Sequence, residues 1–216
     1  MTTLLIATRN AHKVGEIQAI LGANYRCLTL KEFYGAPGVV EDADTFAGNA
    51  TKKAVELARW LSNMSIDMPH STRFVLADDS GLEVDALNGA PGVHSARFAA
   101  LDKSENSPDA DNNAKLLRLL KEVPLEQRTA RFRCVIALAE INLLSANIRP
   151  QLFDGACEGR IQLAASGQGG FGYDPLFVPD GFTQSFAELG EDIKNKLSHR
   201  AQALAKLKVY LSMLPI

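Results

Sequence analysis

The 216-residue chain carries only three cysteines, Cys27, Cys134 and Cys157, and none sits in a Cys-x-x-Cys spacing. That excludes a disulfide scaffold and points to a reduced compartment. Its four histidines, His12, His70, His94 and His199, are scattered, which leaves a zinc centre without ligands at usable spacing. There is no excess charge of either sign: 23 basic against 25 acidic side chains give a net charge of −2. The basic stripe that tracks nucleic acid is missing, so no nucleic-acid partner is expected, and any phosphate must be held by a local cluster. No apolar run approaches transmembrane length, and Leu4–Ala7 near the start is too short for a secretory leader. A cytoplasmic protein with no membrane partner is expected. The glycines of a P-loop, G-x-x-x-x-G-K-[ST], are absent as well.

What the chain does have is an ordinary globular composition, 46% apolar and 22% charged, in a length sufficient for a sizeable core. Leu4–Ala7 reads as a buried strand. A helix follows over about Lys13–Leu21, with Gly22 placed as its C-terminal cap. Tyr25–Leu30 reads as a second strand. Phe46, Ala50, Ala54, Leu57 and Leu61 recur at helical spacing and give a long helix over Thr45–Leu61. Phe74–Ala77 is a third strand, Asn113–Val123 a helix stopped by Pro124, and Thr129–Leu138 a long strand with one wetter face. Leu152–Cys157 and Arg160–Leu163 flank Glu158-Gly159 and read as a hairpin. A last helix starts near Ser198. The alternation predicts an α/β fold with a mixed sheet. No linker divides it, so residues 1–216 are read as one domain, with a polar stretch at Leu101–Asp111.

Four clusters could carry chemistry. Thr8-Arg9-Asn10-Ala11-His12-Lys13 lies between the first strand and first helix, where free helix N–H groups and basic side chains favour an anion. A capped helix start with solvated bases accounts for it equally. Asp78-Asp79-Ser80-Gly81 follows the third strand. Paired acids there can hold Mg²⁺ or activate water, and Glu41 could bring a third carboxylate. Asx-turn chemistry is the plainer alternative. Gly167, Gly169 and Gly172 satisfy G-x-G-x-x-G, but Tyr173–Pro179 cannot open a helix, so a dinucleotide fingerprint is rejected. Phe171 and Tyr173 could stack on a base and Asp174 could read its edge, or the aromatics could be core. Lys194, Lys196 and Ser198-His199-Arg200 set donors and charge at the last helix, for phosphate or base carbonyls or simply as a capped start.

The stretches ATRNAHKVGEI (Ala7–Ile17), TFAGNA (Thr45–Ala50), ADDSGLEVDALNGAPGVHSARF (Ala77–Phe98), GGFGYDPLF (Gly169–Phe177) and SHRAQAL (Ser198–Leu204) resemble, in order, those of the inosine triphosphate pyrophosphatase family. That family comprises the noncanonical purine NTP pyrophosphatases that act on dITP and XTP. The resemblance implies an ITPase-like α/β fold: an elongated mixed β-sheet with flanking helices and two lobes around a central nucleotide-binding cleft. It implies Mg²⁺-dependent hydrolysis of ITP, dITP and XTP to the monophosphate and pyrophosphate, by a homodimer that clears deaminated purines from the nucleotide pool.

Carried over by position, Thr8, Arg9, Asn10, Ala11, His12 and Lys13 match the triphosphate segment. Asp79 matches the general base and metal ligand, with Asp78 and Glu41 as further metal ligands and Ser80 on the substrate. Phe171, Gly172, Tyr173 and Asp174 match the base segment, and Lys194, His199 and Arg200 further phosphate and base contacts. Two positions depart from the pattern: Arg9 stands where the family has glycine, and Val40 stands where it often has the first of two acids. Arg97 is a further candidate to approach substrate, while His70 and His94 receive no role. The rivals are a related pyrophosphatase selecting dTTP or UTP, and a nucleotide-sensing module without turnover.

Overall fold

The structure, a computed structural model, describes residues 2–63, 72–100, 105–141 and 148–214. Six strands form one mixed sheet in the order β2-β1-β3-β4-β5-β6. They are β1 (Thr2–Ile6), β2 (Tyr25–Thr29), β3 (Thr72–Val84), β4 (Thr129–Glu140), β5 (Gln151–Ile161) and β6 (Phe177–Pro179). β1 runs parallel to both β2 and β3, and β5 pairs antiparallel with β6. The helices are α1 (Ala11–Leu21), α2 (Phe46–Asn63), α3 (Asp109–Leu119), α4 (Phe186–Leu189), α5 (Glu191–Leu197) and α6 (His199–Ser212).

The chain divides into two compact units built from interleaved segments. The first comprises Met1–Asp79, Val135–Asp154 and Ala203–Ile216, the second Ser80–Cys134 and Gly155–Gln202. In the first, Leu4, Leu5 and Ile6 of β1 are fully buried together with Ile17 of α1, the α2 stripe Ala50, Ala54, Leu57 and Leu61, and Leu207 of α6. The β1-α1-β2 crossover is what a parallel pair requires, because its strands cannot be joined by a tight turn. In the second, one core gathers Leu82, Val84, Phe98, Leu116, Phe132, Ile161, Tyr173, Leu176, Phe177 and Phe186. Phe132 lies 4.7 Å from Phe177, and Phe177 5.3 Å from Phe186, within the range at which ring pairs add to burial alone.

Three expectations from sequence need correction. First, β3 does not stop at Ala77 but continues to Val84, so Asp78 and Asp79 lie inside a strand. Beyond the polar stretch the alternation resumes, with Leu82 and Val84 fully buried, and Leu82 N–H donates to Ser95 Oγ at 2.9 Å. The strand that does end there is β1, whose last pair with β3 is Ile6 with Leu76. Second, Glu158-Gly159 is not a turn: β5 runs straight through it. Gly159 pairs with Pro179, and a Cβ at that glycine would strike the Val178 carbonyl and come within 2.7 Å of Phe177 Cζ. The glycine is there for close approach of β6, a use of glycine that a strand interior permits. Third, α3 begins at Asp109, four residues before the expected start, with Pro108 as its cap residue. The remainder of the polar stretch falls partly on residues 101–104, outside the described residues.

Gly159→Ala is therefore expected to destabilise the protein by roughly 1–3 kcal/mol, the usual cost of forcing extra volume into packed structure. Chemical denaturation would register this as a lower midpoint at unchanged m-value. An unaltered midpoint would contradict the close approach of β6.

Candidate active site

In the first unit the acids of β3 meet two lysines from two helices. α1 starts at Ala11 because Asn10 caps it: Asn10 Oδ1 accepts from Lys13 N–H at 3.1 Å, and Thr8 Oγ1 accepts from Asn10 N–H at 3.2 Å. The cap sets Lys13 one turn into α1, and its Nζ donates to Asp78 Oδ1 at 2.6 Å. Asp78 is 1% exposed, so this ion pair compensates a carboxylate that would be costly alone. α2 supplies the second cation. Lys53 Nζ donates to Glu41 Oε2 and to the Asp78 carbonyl, both at 2.7 Å, and stands 3.7 Å from Asp79 Oδ1.

Asp79 is left least satisfied. It is 6% exposed, and its Oδ2 is buried with no hydrogen-bond partner among the described residues. Burial raises its pKa from 3.8 to about 6, opposed by the charges of Lys53 and Lys13 and a hydrogen bond from the Asn49 side chain, and reinforced by Glu41. A carboxyl that loses its proton near neutrality, with one oxygen uncommitted, is suited to take a proton or a cation.

In the second unit, Ser80, the next residue of β3, accepts from Arg200 Nη2 at 2.9 Å. Arg200 is 1% exposed. The His199 ring stacks on Phe132 at 4.8 Å, with 12° between planes. Ser198 precedes them as the α6 cap, accepting from Ala201 N–H at 3.2 Å. Lys194 of α5 donates to Asp174 Oδ2 at 2.5 Å and lies 4.5 Å over the Phe171 ring. The segment Gly167–Asp174 is irregular and passes into a turn at Gly172, with Gly170 at φ +73° packed against the Asp174 carboxylate.

Most sequence-derived candidates thus fall into two clusters, Lys13, Glu41, Asp78 and Asp79 in one and Ser80, Phe171, Asp174, Lys194, His199 and Arg200 in the other. The other candidates lie outside these two groups. Tyr173 is 3% exposed and donates its hydroxyl to the Ser95 carbonyl at 2.9 Å, so its ring belongs to the core and burial pushes its phenol up. Arg9 donates to the Ala36 carbonyl at 2.8 Å. Ala11 and His12 are exposed on the first turn of α1. Val40 is exposed. Arg97 Nη2 lies 3.2 Å from His94 Nδ1, and His70 is outside the described residues. Reading the sequence missed Lys53 and Asn49. Their signal was present, since both occupy the inward stripe of α2, three and four residues from Phe46, Ala50 and Leu57, where an amphipathic helix keeps apolar side chains.

In α/β sheets ligands are bound at the carboxyl ends of the parallel strands, and here the lysine-paired carboxylates lie just past the last β1–β3 pair, Ile6 with Leu76. The sequence profile of the Ham1 family matches residues 4–210. A dITP/XTP pyrophosphatase from Desulforamulus reducens is 48% identical over 214 residues, covering 99% of this chain and 97% of its own. A dITP/XTP pyrophosphatase from Geobacter sulfurreducens is 47% identical over 212 residues, covering 98% and 97%. The solved structure of a HAM1 protein from Coxiella burnetii superposes with a TM-score of 0.79 at 35% identity, covering 99% of this chain and 100% of that one. The chain belongs to the Ham1 family.

The Asp79 environment sets a pH dependence. Its native pKa lies above its unfolded value, so the stability tied to its neutral form is present below pH 3.8 and lost as pH rises through about 6. The loss is on the order of 3 kcal/mol. Asp79→Asn keeps an acceptor for Asn49 and no longer ionises. In thermal melts without metal or nucleotide, the variant should gain on the wild type from pH 4 to pH 7.5. A constant difference across that range would contradict the assignment.

Proposed function

We propose that this protein hydrolyses noncanonical purine nucleoside triphosphates, dITP, XTP and ITP, to the monophosphate and pyrophosphate. Its role would be to remove deaminated purines from the cytoplasmic nucleotide pool, as a homodimer. The observation that carries the reading is Asp79: a buried carboxylate with one uncommitted oxygen, flanked by Lys13 and Lys53, in a chain whose relatives are named dITP/XTP pyrophosphatases.

The site suits Mg²⁺. Its donors are all oxygens, and Mg²⁺ is usually held by one or two carboxylates plus substrate phosphates and waters. Among the described residues no group of three His, Cys, Asp or Glu forms a fuller cage. Asp79 and Glu41 are the proposed ligands, and the bound ion would supply neutralisation of phosphate charge. Asp78, read from sequence as a third ligand, is assigned instead to holding Lys13 in place, because its side chain is fully buried on that ammonium, whereas Glu41, paired with Lys53, keeps a side chain 39% exposed.

In the mechanism Lys13 and Lys53 hold phosphate oxygens beside the start of α1. The Asp79 carboxylate accepts a proton from water as its oxygen bonds to the α-phosphorus. The bond to the bridging oxygen breaks and pyrophosphate leaves with the electron pair. Positioning and charge neutralisation supply most of the acceleration in such transfers. In the second unit, the donors of His199 and Arg200 suit a 6-oxo purine and reject the 6-amino group of adenine. Phe171, on the turn that Gly172 shapes, offers a ring face, Asp174 sets Lys194, and Ser80 completes the substrate contacts.

Pyrophosphate release from ITP, dITP, XTP, ATP, GTP and dTTP, with and without Mg²⁺, tests the reading. Mg²⁺-dependent release from the first three and little from the rest is expected. Asp79→Asn should lower kcat by about 10²–10⁴, the range for losing a general base, with the fold retained by circular dichroism. Preference for dTTP would overturn the base assignment. Orthophosphate in place of pyrophosphate would overturn the site of attack. Tight binding without turnover would favour a sensor.

A further inference from the structure

The segment proposed to meet the base is pinned from an element that sequence motifs do not connect to it. Gly172 sits at φ +62°, and both of its backbone polar groups are taken by the first turn and a half of α3. Its N–H donates to Asp109 Oδ2 at 2.6 Å, and its carbonyl accepts from Asn113 Nδ2 at 3.0 Å. The flanking residues are closed on themselves, with Phe171 N–H donating to Asp174 Oδ2 at 2.8 Å and Asp174 N–H to the Phe171 carbonyl at 3.3 Å. α3 is itself anchored. Buried Asn112 accepts from Ala99 N–H at 2.7 Å and donates to the Ala96 carbonyl at 3.3 Å. The two contacts at Gly172 therefore transmit the position of a fixed helix to a turn of high glycine content, which has little rigidity of its own.

We propose that Asp109 and Asn113 are positioning residues for base discrimination: they fix Gly172, and through it the placement of the Phe171 ring and the Asp174 carboxylate. The inference rests on the proposed function and adds residues to it. A ring face and a charged pair that seat a base select it only when held to fractions of an ångström, and a wandering Gly172 would loosen the hold on Phe171 and on the Asp174–Lys194 pair. The orientation of the Asn113 amide follows from its contact: its nitrogen must face the Gly172 carbonyl, since the opposite flip would set two acceptors together.

The test separates this contact from a structural role. Asp109 also opens α3, where any negative charge favours the helix. Asp109→Asn removes that charge and keeps an acceptor for Gly172 N–H, whereas Asp109→Ala removes both. Asn113→Asp sets a carboxylate against the Gly172 carbonyl with little change in size. Each variant would be compared with the wild type for kcat and KM on dITP and GTP, after circular dichroism shows it folded. Asp109→Ala and Asn113→Asp are expected to raise KM for dITP and to lower the dITP-over-GTP preference in kcat/KM, each by about tenfold, the scale of one lost hydrogen bond. In both variants kcat should stay within about threefold, because the Asp79 cluster is untouched. Asp109→Asn should match the wild type. Unchanged preference in folded Asp109→Ala and Asn113→Asp overturns the proposal. So does an Asp109→Asn as impaired as Asp109→Ala, which would make the helix charge the cause. A wild type that releases no pyrophosphate from dITP overturns the proposed function and this inference together.

Discussion

Two adjacent carboxylates buried inside a strand are the constraint around which the first unit is arranged. A strand points neighbouring side chains to opposite faces, and Asp78 and Asp79 take different ion-pair partners. The protein supplies two, from two helices: Lys13 from α1 reaches Asp78, and Lys53 from α2 approaches Asp79. The early end of β1 leaves this stretch of β3 without a β1 partner past Leu76. Ion pairing is complete for Asp78 and incomplete for Asp79, and that inequality sends one carboxyl toward structure and the other toward chemistry. A buried polar atom without a partner costs stability, and functional sites are where such costs are kept.

The second unit packs an ammonium and an imidazole against rings. Lys194 lies over Phe171 while donating to Asp174, and His199 is stacked on Phe132. Flat packing on aromatic faces fixes a ring or an ammonium without consuming all of its donors, so these side chains are oriented before any ligand arrives. Preorganisation of this kind lowers the ordering cost of binding.

Much of this was legible in the sequence, and the misreadings have physical causes. The strand-helix-strand start and the α2 stripe are local patterns, and the structure has both. Asp78-Asp79-Ser80-Gly81 looked like a strand terminus because its residues are turn formers; burial of Leu82 and Val84 beyond it overrides that propensity. Glu158-Gly159 looked like a hairpin for the same reason, but the glycine answers to β6, a strand some twenty residues on. Lys53 escaped notice because a lysine on a helix is ordinarily a solvated one; only its place in the apolar stripe set it apart. For Tyr173 base stacking and core packing were both open, and its ring is buried with the hydroxyl on the Ser95 carbonyl.

The interleaving of the two units bears on how the chain acquires its structure during synthesis. The first unit includes the greater part of α6, from Ala203 onward, and the β4–β5 stretch Val135–Asp154, besides the N-terminal 79 residues. A ribosome releasing the chain from its N-terminus therefore exposes β1, α1 and α2 long before the helix that completes their packing is made. Early segments must wait, partly uncovered, until the residues from Ala203 onward have been made. Leu207 and Leu211 of α6 are thus closing residues in time as well as in space, and a premature stop before Ala203 would leave the Asp79 cluster in a unit lacking its last helix.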